Sequence, residues 1–450
     1  MLSKKSNGIT LVALVITIVI LLILAGISIS TLTNTGIFQK AKDAKKASEN
    51  AQKEEDRLIS EYEKEIVKQD AEGIWDGKVN KPELMTGMTA IKFIEPTDST
   101  EGKDEKVSDS SKKDWYNYSE KKWANAQTED GSMWVWIPRY AYKINKSNQT
   151  FDVVFLVGTT DNYYDKDGKL QTAKRQTSET DIPDATKNYV VHPAFTNESN
   201  IGYVNGGWKK ELTGIWVSKF EAGYFDKNLV DADKEKYSST VNYSQTYGYT
   251  TAGKNDEARN YLDGIYGAKT TAIKYPTFQG GKYSMNYINH NDAFNISKAI
   301  AGDSNNVYEL KSNSTDSHLM KNSEWGAVAY LGQSQYGLYN KNIRINNVNM
   351  GDNSNFVYAM TGYAAKEEDA ENTINANAIA WNQFGGELAS TTGTIYGIYD
   401  MSGGTWERSA AIANNGNEKL NTYGNAIMNA LNSGKSTEYV TVYPNGETSG

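Results

Sequence analysis

Residues 132–157 read SMWVWIPRYAYKINKSNQTFDVVFLV. Apolar and aromatic residues crowd two runs, one from Ser132 to Asn145 and one from Thr150, around the polar turn Asn145–Asn148. Trp, Val, Ile, Tyr and Phe suit a pleated, half-buried surface, while Asn and Ser suit a turn, so the stretch predicts two paired strands. Pro138 has no N–H to give a ladder, which places an edge or a bulge in the first run. Working outward, Thr89–Ile94 predicts a short strand before this pair, and Gly214-IWVSKFEAGY predicts another after it. The polar stretches 98–113 and 158–190 predict exposed loops.

Further on, the periodicity changes. Ala293, Phe294, Ile296, Ala299 and Ile300 predict a helix over Asn291–Ile300. A second helix is expected from Asn322 or Ser323, either of which can cap it, and it carries Trp325, Val328, Ala329 and Leu331. Glu324 in its first turn suits the positive end of the helix dipole. Residues 333–393 are Asn- and Gly-rich and loop-like. Two helices among short strands and long loops imply an α+β domain.

The other end of the chain is of a different kind. No charged residue occurs between Lys5 and Lys40, and Ile9 to Ile29 is almost wholly aliphatic. A helix of about 21 residues rises roughly 32 Å, enough for a hydrocarbon core of ~30 Å, so 9–30 is expected to span a membrane. Lys4 and Lys5 precede the span, while Lys40, Lys42, Lys45 and Lys46 follow it. A count of basic residues alone would hold the C-terminal side inside. Long domains translocate largely regardless of charge, however, and the Tyr-, Trp- and Asn-rich body suits export, so a single pass with the C-terminal domain outside is expected. Ile37, Ala41, Ala44, Ala51, Leu58, Tyr62 and Ile66 then trace one narrow face of an amphipathic stalk helix.

Composition removes several chemistries. The chain has no cysteine, so disulfides, thiolate metal sites and a cysteine nucleophile are excluded. The net charge of −8 argues against nucleic acid as a partner. The three histidines, His192, His290 and His318, stand at no metal-ligand spacing, and neither a G-x-S-x-G elbow nor a phosphate loop is present. No catalytic residue and no enzymatic activity are expected. Asp- and Asn-rich loops offer oxygen ligands that would suit a structural calcium ion; no other cofactor is expected.

Two stretches resemble known families. Lys4-Lys5-Ser-Asn-Gly8 followed by Ile9-Thr10-Leu11 and the aliphatic run is similar to the leader and first helix of type IV pilins and pseudopilins. The resemblance implies cleavage after Gly8 and methylation of the new N-terminus, Ile9. The family's glutamate five residues into the mature helix is Ala13 here, which favours a tether over a filament subunit. Across about 210–410, four blocks resemble the C-type lectin fold of the formylglycine-generating-enzyme type. They are Gly214-IWVSKFEAGY, Asn289-HNDAFNISKAI, Leu319-MKNSEWGAVAYL with Glu324 and Trp325 matching, and Tyr396-GIYDMSGGTWER. Gly404 replaces the asparagine that helps hold calcium in some members, while Glu407 is kept as the calcium candidate. The copper-binding cysteine pair of the oxidases is absent, so the resemblance implies a binding use of the fold.

The combination resembles variable proteins of diversity-generating retroelements. Such domains close with an R-G-G … G-F-R segment, and the sequence ends at Pro444-NGETSG without one, so a C-terminally incomplete domain is expected. The expected organisation is then a leader at 1–8, a transmembrane helix at 9–30 and a stalk at 31–69. A linker with a short strand and charged loop covers 70–131, and the lectin-like domain covers 132–450. Trp325 and Trp406 are expected to be buried in its core, with Glu324 beside them. Trp406→Ala would then unfold the domain without touching membrane insertion, since losing a buried aromatic costs about 3–5 kcal/mol. The expected function is a membrane-tethered, surface-displayed protein that binds a protein or glycan ligand. One alternative is a minor pilin or pseudopilin of a type IV pilus or type II secretion-like apparatus, partnering other pilin-like subunits; the other is a metal-dependent oxidase of the formylglycine-generating type, which the lack of cysteine disfavours.

Overall fold

A computed structural model describes residues 18, 42–55, 57–58, 75–107, 114–178, 180–197, 207–223, 276–282, 284–285, 290–302, 308–346, 348–349, 360–366, 373–374, 378–405, 407–413, 424–428 and 437–443. The chain divides into two compact units, Met1–Val67 and Lys68–Gly450. In the first, 42–55 and 57–58 are helical, within the expected stalk, and every described side chain but that of Glu55 is exposed. Glu54 and Arg57, one turn apart, are paired at 2.6 Å on that surface. Of the expected span 9–30, all but Ile18 lies outside the described residues, as do Gly8, Ile9 and Ala13. No helix among the described residues is long and apolar enough to cross a membrane.

The second unit is a mixed α+β structure of short, mostly antiparallel strands and few helices. In chain order the first strands are β1 (Thr89–Ile94), β2 (Lys103–Lys106), β3 (Asn125–Gln127), β4 (Met133–Pro138), β5 (Tyr140–Asn145) and β6 (Thr150–Phe155). They are followed by β7 (Asn162–Tyr164), β8 (Leu170–Thr172), β9 (Val190–Val191) and β10 (Gly214–Ser218). Two helices come next, α1 (His290–Gly302) and α2 (Asn322–Gly332). Short strands β11 (Val348–Asn349), β12 (Tyr363–Ala365), β13 (Thr373–Ile374), β14 (Ala378–Ala380), β15 (Ala411–Ala413) and β16 (Thr441–Tyr443) follow among the described residues. The largest sheet is antiparallel, in the order β10-β4-β3-β1-β2. A second sheet has the order β6-β5-β9.

The opening stretch is therefore three strands in two sheets. β5 pairs with β6 across the 146–149 turn, as the sequence implies, but β4 pairs with β3 and β10. The break falls where Pro138 ends the ladder and Arg139 turns inward. The Arg139 side chain is fully buried, 2.9 Å from Asp161 and 2.7 Å from Glu211. Arg175 bridges the same two carboxylates from the other side, at 2.6 and 2.8 Å. A buried cation needs such pairing to repay its desolvation. On the next strand Gly214 pairs with Pro138, and a Cβ there would lie 2.4 Å from the Trp136 ring. Only glycine lets that indole lie across β10.

Both polar loops need correction. Residues 103–106 form β2, whose pairing with β1 supplies the order that its KDEK sequence lacks. Residues 158–190 hold the β7–β8 hairpin and β9. Asp165 closes that hairpin by accepting the N–H groups of Asp167 and Lys169 at 3.0 and 2.9 Å. Within 333–393, β12 pairs with β14 and β11 with β13, and a 3-10 turn spans Gly386–Ala389.

α1 and α2 occur where expected, with different capping. Lys321, not Asn322 or Ser323, is the N-cap of α2. Its N–H donates to the Glu324 carboxylate at 2.8 Å, one half of a capping box. A lysine ammonium has no lone pair to return the second bond. The buried face of α2, through Ala327, Val328 and Leu331, joins the main core with Val135, Trp136, Tyr140, Phe195 and Ile398.

Candidate functional site

The four blocks that stood out in the sequence converge. Glu221 follows β10, and its carboxylate accepts the Thr405 hydroxyl and, at 3.4 Å, the Thr405 N–H. A Cβ on Gly404 would lie 2.6 Å from the same carboxylate, and the backbone there is left-handed, with φ +74°. The glycine found where the lectin-like motif has asparagine is thus the residue that makes room for Glu221. Asp400, fully buried, accepts the Gly362 N–H at 2.8 and 2.9 Å, Asn346 Nδ2 at 2.9 Å and the Glu221 N–H at 3.3 Å. From α1, Phe294 packs with Ala410 and Ile412. From α2, Trp325 Nε1 donates to Glu407 at 2.9 Å.

Between these elements lies a cleft of about 980 Å³. Trp216, Phe278, Met285, Trp325 and Met401 supply apolar wall, while Glu407, Arg408, His318 and Glu221 supply polar groups. Trp216 is held by its own Nε1 bond to the Glu83 carbonyl, at 2.7 Å, and packs 5.3 Å from Trp136. A concave, mostly apolar surface with several aromatic side chains and a few fixed polar groups is the usual form of a ligand site.

The electrostatics of the cleft are uneven. Burial, reinforced by the neighbouring Asp400, raises the Glu221 carboxyl to about 8. Burial raises Asp400 to about 7, against the pull of its hydrogen bonds. Crowding by protein raises Glu407 too, and the Trp325 N–H partly offsets it. Glu324 goes the other way. Burial alone would raise it, but Lys321 and His318 bring it down to about 2. His318 Nε2 lies 3.1 Å from both Glu324 oxygens, and Lys321 Nζ lies 3.4 Å away, over the Trp208 ring at 3.8 Å.

Of the residues singled out in the sequence, Glu324 is buried. Trp325 is not: it is 37% exposed and faces the cleft. It lies about 100° round the helix from Glu324, off the stripe that Ala327, Val328 and Leu331 bury. Trp406 lies outside the described residues. Glu407 is exposed and spends one oxygen on Trp325. No group of three or more His, Cys, Asp or Glu among the described residues could hold a metal ion. His192 is buried, caps a 3-10 turn by accepting the Ala194 N–H at 3.3 Å, and burial lowers it to about 3.

Sequence reasoning missed Glu221 and Asp400. The available signal was local: acids set within apolar strand-like runs, SKFEAG and GIYDMS, are either buried or aimed at something. No family model, no curated protein and no solved structure matches the chain.

Proposed function

We propose that this chain is a membrane-tethered, surface-displayed binding protein, an adhesin or receptor whose recognition domain has the C-type lectin fold of the formylglycine-generating type. One observation carries the reading: the four lectin-like blocks meet at a single cleft with aromatic walls. Three further features support it. The aliphatic run 9–30 supplies a tether, the helical residues 42–55 suit a stalk, and Ala13 disfavours incorporation into a filament. The aromatic walls and fixed carboxylates suit the apolar faces and hydroxyl or amide groups of a glycan or protein surface. Diversification by a retroelement is consistent with this fold and belongs to the same proposal.

The test is a screen of the full chain in lipid vesicles against arrayed glycans and bacterial, phage and host surface proteins. A saturable interaction is expected. Turnover of a small substrate with no saturable binding would overturn the proposal.

A further inference from the structure

Lys219 and Asn125 are an unusual pair. Both are buried, at 1% and 2% exposure; Asn125 lies on β3 and Lys219 directly after β10, 94 residues apart. Lys219 Nζ lies 2.8 Å from the Asn125 side-chain oxygen. A carbonyl bond of ~1.2 Å then sets the amine about 3–4 Å from the carboxamide carbon, a span that overlaps the ~3–3.5 Å of a near-attack approach. The carboxamide is held: its Nδ2 donates to the Trp123 and Tyr396 carbonyls at 2.9 and 2.7 Å. The lysine backbone is held as well, by the Met133 carbonyl and the Tyr399 N–H, both at 2.9 Å. Around the amine stand the Phe93 ring at 5.6 Å and the Tyr399 ring at 5.9 Å, the latter with a buried hydroxyl that has no partner.

A carboxylic acid stands on the same face of the sheet. Asp104 on β2 pairs in register with Phe93, so its side chain leaves the same face of the sheet as that ring. Burial lowers the Lys219 ammonium to about 8, and burial raises the Asp104 carboxyl while Lys219 opposes the rise. A neutral amine is therefore within reach near neutral pH, and a nearby acid can carry protons.

We propose that Lys219 and Asn125 condense into an intramolecular isopeptide cross-link, with Asp104 moving the protons. The amine gives a proton to the Asp104 carboxylate, and its lone pair attacks the carboxamide carbon. The new C–N bond forms as the bond to Nδ2 breaks. Asp104 returns the proton to Nδ2, which leaves as ammonia. The step is redox-neutral and needs no co-reactant. In a chain with no cysteine it would staple β3 to the end of β10, where a disulfide cannot form.

Intact-mass spectrometry of the purified full chain tests this. The expected mass falls short of the sequence mass by one ammonia, and a tryptic map yields one branched peptide joining the Asn125 and Lys219 segments. Two results would overturn the proposal: the full mass, or a loss of ammonia confined to the Asn125 peptide with Lys219 still cleaved by trypsin. Asp104→Asn lies on an edge strand and should fold, by circular dichroism, with its lysine and carboxamide unlinked. A folded Asp104→Asn protein that still carries the branched peptide would overturn the assigned proton transfer.

Discussion

Replacing Glu324 by glutamine removes a buried negative charge that faces two donors. The parent carboxylate takes the Lys321 N–H at 2.8 Å and His318 Nε2 at 3.1 Å, and it pairs with a Lys321 ammonium whose side chain is fully buried. Glutamine keeps one oxygen for the cap, but its amide then turns a donor towards the lysine or the histidine. Two routes give the magnitude. Lowering a carboxyl from 4.5 to about 2 is worth about 3 kcal/mol of folding free energy. Removing one partner of a buried ion pair typically costs about 3–5 kcal/mol, because the other charge stays buried. The expected loss is therefore about 3 kcal/mol at pH 7. It is read from urea unfolding of the purified chain, followed by tryptophan fluorescence. The sign with pH is fixed. A carboxyl lowered by folding contributes fully above its unfolded value, so the parent loses this contribution as pH falls from about 4.5 through about 2. Parent and Glu324→Gln curves should converge in that window. A loss under about 1 kcal/mol at pH 7, or a gap unchanged at pH 2, would refute the reasoning.

Three other outcomes follow from the same cleft. Asp400 and Glu221 are raised by folding, so their contribution is full at low pH and is lost as pH rises through about 7 and 8. Asp400→Asn should flatten the decline between about pH 4 and 7, by about 3–4 kcal/mol, in unfolding measured across that range. Gly404→Ala puts a methyl group against Glu221 and forces a left-handed alanine, and should cost about 2–3 kcal/mol in the same assay. Trp325→Phe should cost under about 1.5 kcal/mol, because the ring is part-exposed and only its bond to Glu407 is lost; a loss of 3 kcal/mol or more would mean the ring is buried.

Local pattern carried part of the fold. β1 and both helices were legible because alternation and a period of 3.6 report which face is covered. β2 was not, since KDEK has no strand signal of its own and takes its order from β1. The division of 132–145 between two sheets was half legible. Pro138 marks the interruption, but the anchoring of Arg139 depends on Asp161 and Glu211, which lie far along the chain. The site followed the same rule. The blocks bearing Glu324, Trp325 and Glu407 could be picked out in order, yet periodicity alone put Trp325 inside, when the helix turns it towards the cleft. Glu221, Asp400 and Lys219 could not be assigned roles, because a buried charge is decided by distant partners such as Thr405, Gly362 and Asn125.

The most direct test compares binding by cells that display the full chain with binding by cells that display a cleft variant, Trp216→Ala with Glu407→Gln. A membrane-impermeant lysine reagent matches the amount of each at the surface. The account predicts that both chains are labelled on intact cells, that the parent binds its ligand saturably, and that the variant binds at least tenfold more weakly. Failure of the reagent to reach either chain, or equal binding by the two, would contradict it.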